Sequence, residues 1–333
     1  MKIIVDAMGG DNAPEEVVLG ALEAVKNLDL DVVLVGNEEK IRRYITTPAP
    51  KIEVVNAAEV IGNDEPPVAA IRTKKDASIP KGMRLLKEGQ GSAMVSAGST
   101  GALMAGGLFI LGRFEGVERP AIATLVPTRK KPALLLDIGA NSDSKPRNLV
   151  QFAVMGSVYS REILGVEKPR VGLLNIGVEE EKGSNAVKTA YGILKGLKDI
   201  NFGGNAEARD FFDGDFDVVV CDGFVGNIFL KTVEGFGSFL LDQLKTEVKG
   251  KLTYSIGALL IKPALKAVKA RMDYSEYGGA MFLGLDGILI KCHGSSDRKA
   301  IFNGIKMAKQ FAESDVHLKL KKALIDIEGE LSP

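Results

Sequence analysis

Tryptophan is absent from the 333 residues, and only two cysteines and two histidines are present. Cys221 and Cys292 stand far apart and no Cys-x-x-Cys pair exists, which argues against a disulfide framework and a thiolate metal site. With only His293 and His317, a histidine metal cluster is not expected either. Net charge is missing too: 43 basic and 43 acidic side chains cancel, so no global field points to nucleic acid. No run of 18 apolar residues occurs, and Met1 to Asp6 enters a strand without the apolar length of a signal peptide. No loop has the spacing of a phosphate loop or of a sound dinucleotide fingerprint, so no nucleotide cofactor is implied. These absences predict a reduced, cytosolic protein that uses neither metal nor cofactor.

What remains is an ordinary globular composition, 45% hydrophobic and 26% charged, with 38 glycines. Short apolar runs alternate with helical patterns. This predicts an α/β fold, a mainly parallel sheet with helices on both faces, built as one unit over residues 1–333, whether a single body or two lobes. Strands are expected at 3–5, 32–35, 52–55, 93–95, 121–126, 133–136, 171–175 and 218–221. A helix is expected at 146–164. Residues 62–90, rich in Pro, Lys and Asp, predict an exposed flap with short helices at 67–72 and 83–87.

The most informative stretch runs from Asp217 to Thr232. Val218 to Cys221 reads as a buried strand, Asp222-Gly223 as a turn, and Gly226-Asn227 as the opening of a long helix. Free N–H groups and the positive end of a helix would converge there, with Asn227 at the mouth, and an anion is their natural guest. An ordinary strand-to-helix turn with an Asn cap explains the same residues. Similar strand ends recur at Asp6 to Asn12, at Gly98-Ser99-Thr100-Gly101, at Asp137 to Asn141, and at Asn175 to Asn185. Another follows at His293-Gly294-Ser295. In a parallel sheet all would share one carboxyl edge, where ligands bind. Cys221 reads as core packing or a nucleophile, His293 as a ligand-orienting or structural residue, and His317 as solvent-facing.

Residues 248–272 hold Lys249, Lys251, Lys262, Lys266, Lys269 and Arg271 and no acid. Lys262, Lys266 and Lys269 share one helical face, while the run from Ile256 through Leu259 and Leu260 is too apolar for an exposed loop. A helical hairpin over 240–275 is expected, its tip meeting anionic lipid or an acidic protein through Tyr254, Ile256, Leu259, Leu260 and these cations. An oligomer hairpin with a solvated lysine face is the plainer explanation.

Seven stretches stand in the order and spacing found in the bacterial phosphate acyltransferases, which the chain resembles over its whole length. They are Met8-Gly9-Gly10-Asp11, Ser96 to Ala102, Leu136 to Asn141, Asn175 to Gly183, Asp222 to Asn227, Tyr277-Gly278-Gly279-Ala280 and His293-Gly294-Ser295-Ser296. The resemblance implies transfer of an acyl chain from acyl carrier protein to inorganic phosphate, giving acyl phosphate for phospholipid synthesis. It also implies a fold similar to that of phosphotransacetylases and isopropylmalate dehydrogenases, and a homodimer associated peripherally with the membrane. On this sequence it places the catalytic lysine and asparagine at Lys182 and Asn227. The substrate would be bound by Asp6, Gly9, Gly10, Asn12, Gly98, Ser99, Thr100, Gly101, Asp137, Asn141, Asp222, Gly223, Gly226, His293 and Ser295. Two other readings stay open: a phosphotransacetylase-like enzyme using acyl coenzyme A, and a non-catalytic anion- or lipid-binding scaffold.

Overall fold

The computed structural model describes residues 1–249, 252–272 and 278–331. Among them, the first half runs β1 (Lys2–Asp6), α1 (Glu15–Asn27), β2 (Asp31–Gly36), α2 (Glu38–Arg42), β3 (Ile52–Asn56), α3 (Pro67–Thr73), α4 (Ser78–Lys87), β4 (Ala93–Ser96) and α5 (Thr100–Gly106). A π-helical turn, Gly107–Leu111, prolongs α5. Then come β5 (Ala121–Val126), β6 (Ala133–Leu136), α6 (Pro146–Leu164), β7 (Arg170–Asn175), α7 (Asn185–Gly196), β8 (Asn201–Glu207) and β9 (Val218–Val220). The chain continues with α8 (Gly223–Lys249), α9 (Leu252–Met272), β10 (Ala280–Leu283), β11 (Leu289–Lys291), α10 (Arg298–Glu313) and α11 (Val316–Leu331).

The strands form one continuous sheet in the order β3-β2-β1-β4-β11-β10-β5-β6-β9-β7-β8. Parallel pairing holds β3, β2, β1, β4 and β11 together, and separately β6, β9, β7 and β8. Antiparallel pairs link β11 to β10, β10 to β5 and β5 to β6. The mainly parallel sheet is thus as expected, but its two parallel blocks run in opposite directions. The glycine loops therefore do not share one carboxyl edge. Those after β1, β4 and β11 leave one edge, and those after β6, β9 and β7 leave the other. The strands near the junction are three or four residues long, except β5 with six. At about 3.3 Å per residue the shorter strands span only about 10–13 Å from one edge to the other.

One face of the sheet is covered by α1, α6, α7, α10 and α11 over a single long apolar cluster that includes Val5, Val95, Met281, Leu136 and Val220. The other face carries two separate clusters. The first packs α3, α4, α5 and the π-turn on Ile4, Met94 and Ile122; the second packs Phe211, Phe229 and Leu230 on Leu135, Val219 and Cys221. A gap remains between them at the middle of the sheet. Residues 62–90 are no exposed flap: Ile71, Ile79, Met83 and Leu86 are buried, and the lysines of α4 simply line its outer side. Its first turn tolerates Pro80, so the helix starts at Ser78, five residues before the expected Met83. His317 also departs from expectation, packing its ring edge-on against Phe114 at 4.6 Å near Asp286.

The helix after β9 begins at Gly223 rather than at Gly226. Asp222 is its cap, accepting from the N–H groups of Phe224 at 3.1 Å and Val225 at 3.0 Å. Asn227 accordingly stands one turn inside α8. Among the described residues α8 alone is long and apolar enough to cross a membrane, a test that rests on length and composition only. Helix α9 packs on α8. Leu259 and Leu260 lie within α9, 68% and 77% exposed, so they do not form the tip of a hairpin. The backbone of Ile256, Lys269 and Arg271 falls in α9, while their side chains, like all of Tyr277, lie outside the described residues.

Candidate active site

A cleft of about 460 Å³ fills the gap in the middle of the sheet. Its floor includes Ile122 and Thr124, alternate residues of β5 that point to the same face. One wall brings Gly98 and Thr100 from the loop after β4, together with Lys291, Cys292 and His293 at the end of β11. The facing wall brings Ile138 and Gly139 from the loop after β6. Helix α8 closes the side with Asn227, Leu230, Lys231 and Glu234. Their spacing of i, i+3, i+4 and i+7 puts all four on one helical face. Loops from opposite sheet edges thus meet over the short strands.

Four of the predicted site residues line this cleft: Gly98, Thr100, Asn227 and His293. Asn227 is half-buried, and its side chain packs 3.7 Å from where a Cβ would stand on Gly139, whose φ of +135° suits only glycine. Its amide has no hydrogen-bond partner among the described residues. His293 accepts at Nδ1 from the Ser295 N–H at 3.2 Å and lies 2.7 Å from the Ser295 hydroxyl. Burial holds its pKa below the usual histidine value, and the nearby ammonium of Lys291 adds to this. The ring is therefore neutral at pH 7, and Ser295 serves to orient it.

The predicted acids sit beneath the cleft. Asp6 is buried and accepts from the Ser96 hydroxyl at 2.7 Å and the Met8 N–H at 3.1 Å; Ser96 in turn accepts from the Gly98 N–H. Asp137 is buried as well, and accepts from the backbone N–H groups of Ile122, Gly139, Ala140 and Asn141 and from the Asn141 amide. Burial raises both carboxyl pKa values while these donors pull them back. Each acid folds a loop into shape. A second donor hydrogen on the Asn141 amide ties that loop to the Pro120 carbonyl at 2.8 Å.

Other predicted residues act through close approach. A Cβ on Gly9 would stand 2.5 Å from the Gly98 nitrogen, and one on Gly101 2.6 Å from Pro67. Gly10, at φ +100°, lets its loop turn against Ala97 and Gly294. Asn12 donates to the carbonyls of Ser295 and Ser296. Ser99 caps α5 through the Ala102 N–H. Gly223 and Gly226 press α8 against the 137–141 loop, and Asp222 is committed to its cap. The free cradle expected at this helix start is therefore already filled by the protein's own carboxylate.

Lys182 lies apart from the cleft lining, exposed on the loop after β7, where its carbonyl accepts from Asn175. Because β7 and β9 are parallel neighbours, this loop and the start of α8 leave the same sheet edge. Cys221 is buried with its thiol 3.4 Å from the Asp137 carbonyl, and burial holds its pKa far above the ordinary value, as befits core packing. Cys292 reaches the cleft, but burial pushes its pKa up to about 12. Among the described residues no group of three or more His, Cys, Asp or Glu side chains is placed to hold a metal. Reasoning from sequence passed over Lys291, Lys231 and Glu234. The first was legible as a lone cation in an apolar strand, and the other two by their helical spacing from Asn227.

The fold is that of the phosphotransacetylases: the EutD phosphotransacetylase from Staphylococcus aureus superimposes with a TM-score of 0.64 over 94% of both chains, at 16% identity. A family model described as "Fatty acid synthesis protein" matches residues 1–319. Proteins named phosphate acyltransferase from Clostridium tetani and Caldicellulosiruptor saccharolyticus are 48% and 52% identical, over 98% and 99% of this chain and 99% and 100% of their own lengths. The chain belongs to the phosphate acyltransferase family. Its activity class is acyl transfer, with phosphate as a substrate.

Proposed function

We propose that the protein transfers an acyl chain from an acyl carrier protein thioester to inorganic phosphate, releasing acyl phosphate for phospholipid synthesis. The observation that carries this reading is the half-buried Asn227 amide, which lines the cleft with no hydrogen-bond partner among the described residues. A phosphate oxygen attacks the thioester carbonyl carbon and a C–O bond forms. The carbonyl oxygen becomes an oxyanion that accepts from the Asn227 amide. As it collapses the C–S bond breaks, and the thiolate leaves and takes up, through water, the proton that the attacking hydrogen phosphate gives up. Phosphate brings its own nucleophilic oxygen, so no activated side chain is needed; holding the two reactants together and stabilising the oxyanion suffice.

Lys182 is assigned to the same reaction from the neighbouring loop, where its ammonium would offset charge on the departing thiolate. Lys182→Ala is expected to lower turnover about tenfold, the effect of roughly 1.4 kcal/mol. Unchanged turnover with unchanged phosphate dependence removes Lys182 from the site. The decisive test of the activity is to offer the protein phosphate with either acyl carrier protein thioester or acyl coenzyme A and to assay acyl phosphate. Product from the carrier-protein donor is expected. Product from coenzyme A alone would favour a phosphotransacetylase-like enzyme, and none from either would leave a binding scaffold.

The exposed helices supply the partners. Lys262 and Lys266 of α9 are exposed beside Leu259, Leu260 and Ile261, a combination suited to an anionic membrane surface and to acidic carrier protein. Phe224, Val225, Ile228, Phe236 and Phe239 of α8 are exposed as well, and a second copy of the chain would cover them in a homodimer. On this reading the enzyme is cytoplasmic and bound peripherally to the membrane. Changing Leu259 and Leu260 to Glu is expected to abolish flotation with anionic liposomes. Retained lipid binding would exclude these leucines as the membrane contact.

A further inference from the structure

Lys291 occupies a position where a cation is costly. It ends β11, near the middle of the eleven-stranded sheet, with Ser96 and Ala280 as its paired neighbours on either side. Strand alternation turns it away from the apolar cluster that holds Ile290, toward the face that carries Thr124. It is half-buried and lines the cleft. Its ammonium donates to two neutral acceptors, the carbonyls of Cys292 and, at 3.5 Å, of Ala97. An ammonium has three N–H groups, so one is left for the cleft. Among the described residues no carboxylate lies within 4 Å of it. By contrast, solvated lysines such as Lys2, Lys51 and Lys130 all have carboxylate partners. A partly desolvated cation with no carboxylate in contact is what a protein avoids unless a ligand supplies the charge.

We infer that Lys291 is the phosphate-holding residue of the cleft, its ammonium binding the tetrahedral oxyanion of inorganic phosphate opposite Asn227. This inference rests on the acyl-transfer reading above and names the group that holds its acceptor. The neighbours fit the task. Gly98, Gly279, Ala280 and Gly294 put no side chain of any size near it, which leaves room for an anion. His293 is neutral and able to hydrogen-bond phosphate without competing for charge. Asp11 on the same wall and Asp6 beneath it act on Lys291 from beyond ion-pair distance and only partly offset its charge. Burial lowers the Lys291 pKa, in keeping with an ammonium that awaits a counter-ion.

The test compares the full-length protein with Lys291→Met, Lys291→Gln and Lys291→Arg. Two readings are taken: steady-state KM values for phosphate and for the acyl donor, and the rise in Tm produced by inorganic phosphate alone at matched ionic strength. Loss of the charge in Met or Gln is expected to raise the phosphate KM about 10–100-fold, the loss of one charge-assisted hydrogen bond. The donor KM should stay within about twofold, and the phosphate-induced rise in Tm should vanish. Arg should retain part of both. Gln still donates to the two carbonyls, so it keeps the test open if Met fails to fold. An unchanged phosphate KM with full phosphate protection overturns the inference. A shift in the donor KM alone also overturns it, because the lysine would then serve the phosphodiester of the donor's prosthetic arm. If the wild type makes no acyl phosphate, the activity reading fails, yet phosphate protection and its loss in Met or Gln still decide the role of Lys291.

Discussion

Asn227→Ala should lower turnover by about 10²–10³ and leave the protein folded, the usual effect of deleting one oxyanion donor. The fold should not suffer, because this amide has no partner among the described residues to orphan, and alanine is the better helix former by roughly 0.5 kcal/mol. Few side chains in the cleft allow so clean a separation of chemistry from stability. Thr124 is buried in the sheet, and His293 is tied to its own loop. The KM for phosphate should move little, since the lost contact forms with the thioester oxygen as charge develops. Asn227→Asp extends the test: it keeps the shape and brings a negative charge to the oxyanion, and turnover should fall at least as far. Measured kcat close to that of the wild type in Asn227→Ala, with an unchanged Tm, would reject the role.

The second large effect falls on stability, one residue earlier. Gly226→Ala places a Cβ 1.9 Å from the Asp137 carbonyl oxygen and 2.8 Å from the Cys221 sulfur. The obstructing atom is backbone, and that backbone is fixed by the hydrogen bonds that the Asp137 carboxylate collects. With the 137–141 loop fixed, α8 could accommodate the methyl only by lifting away from the sheet. The helix would gain at most about 1 kcal/mol from replacing glycine, against about 3 kcal/mol or more for the overpacking. With total stability of about 5–15 kcal/mol this is a large share. A urea or thermal midpoint equal to that of the wild type would show that the contact yields, and that Gly226 is not there for close approach.

At these two glycines the sequence pattern and the structure part. Asp222-Gly223 followed by Gly226 reads as a turn because glycine is a poor helix residue, and so the helix start was expected three residues late. Asp222 caps the helix instead, and the glycines answer to a loop more than eighty residues earlier in the chain. No local pattern carries that information. Helix α6 was legible to the residue because Pro146 and Gly165 punctuate both of its ends. Strand β8 was not, since Gly203 and Gly204 interrupt it and its pairing with β7 is bulged and lies at the sheet edge. Strand directions were the largest gap. Each βα unit looks alike in sequence whichever way it points, and only the antiparallel pairings of β10 and β5 reveal that the blocks are opposed. The site was half-legible for the same reason: Asn227, Thr100 and His293 belong to glycine-bearing turns that the sequence marks, while Lys291 closes an apolar strand that reads as core.

The reversal of strand direction has a mechanical consequence. Lys291 belongs to the block that ends at β11, and Asn227 rides on the helix that follows β9 in the opposed block. Between β11 and β5 the sheet is carried by β10, which pairs with each of them over just three residues. A substrate pair held by both side chains would bridge that narrow waist. Reactants would then act as a clasp between the two opposed blocks of the sheet.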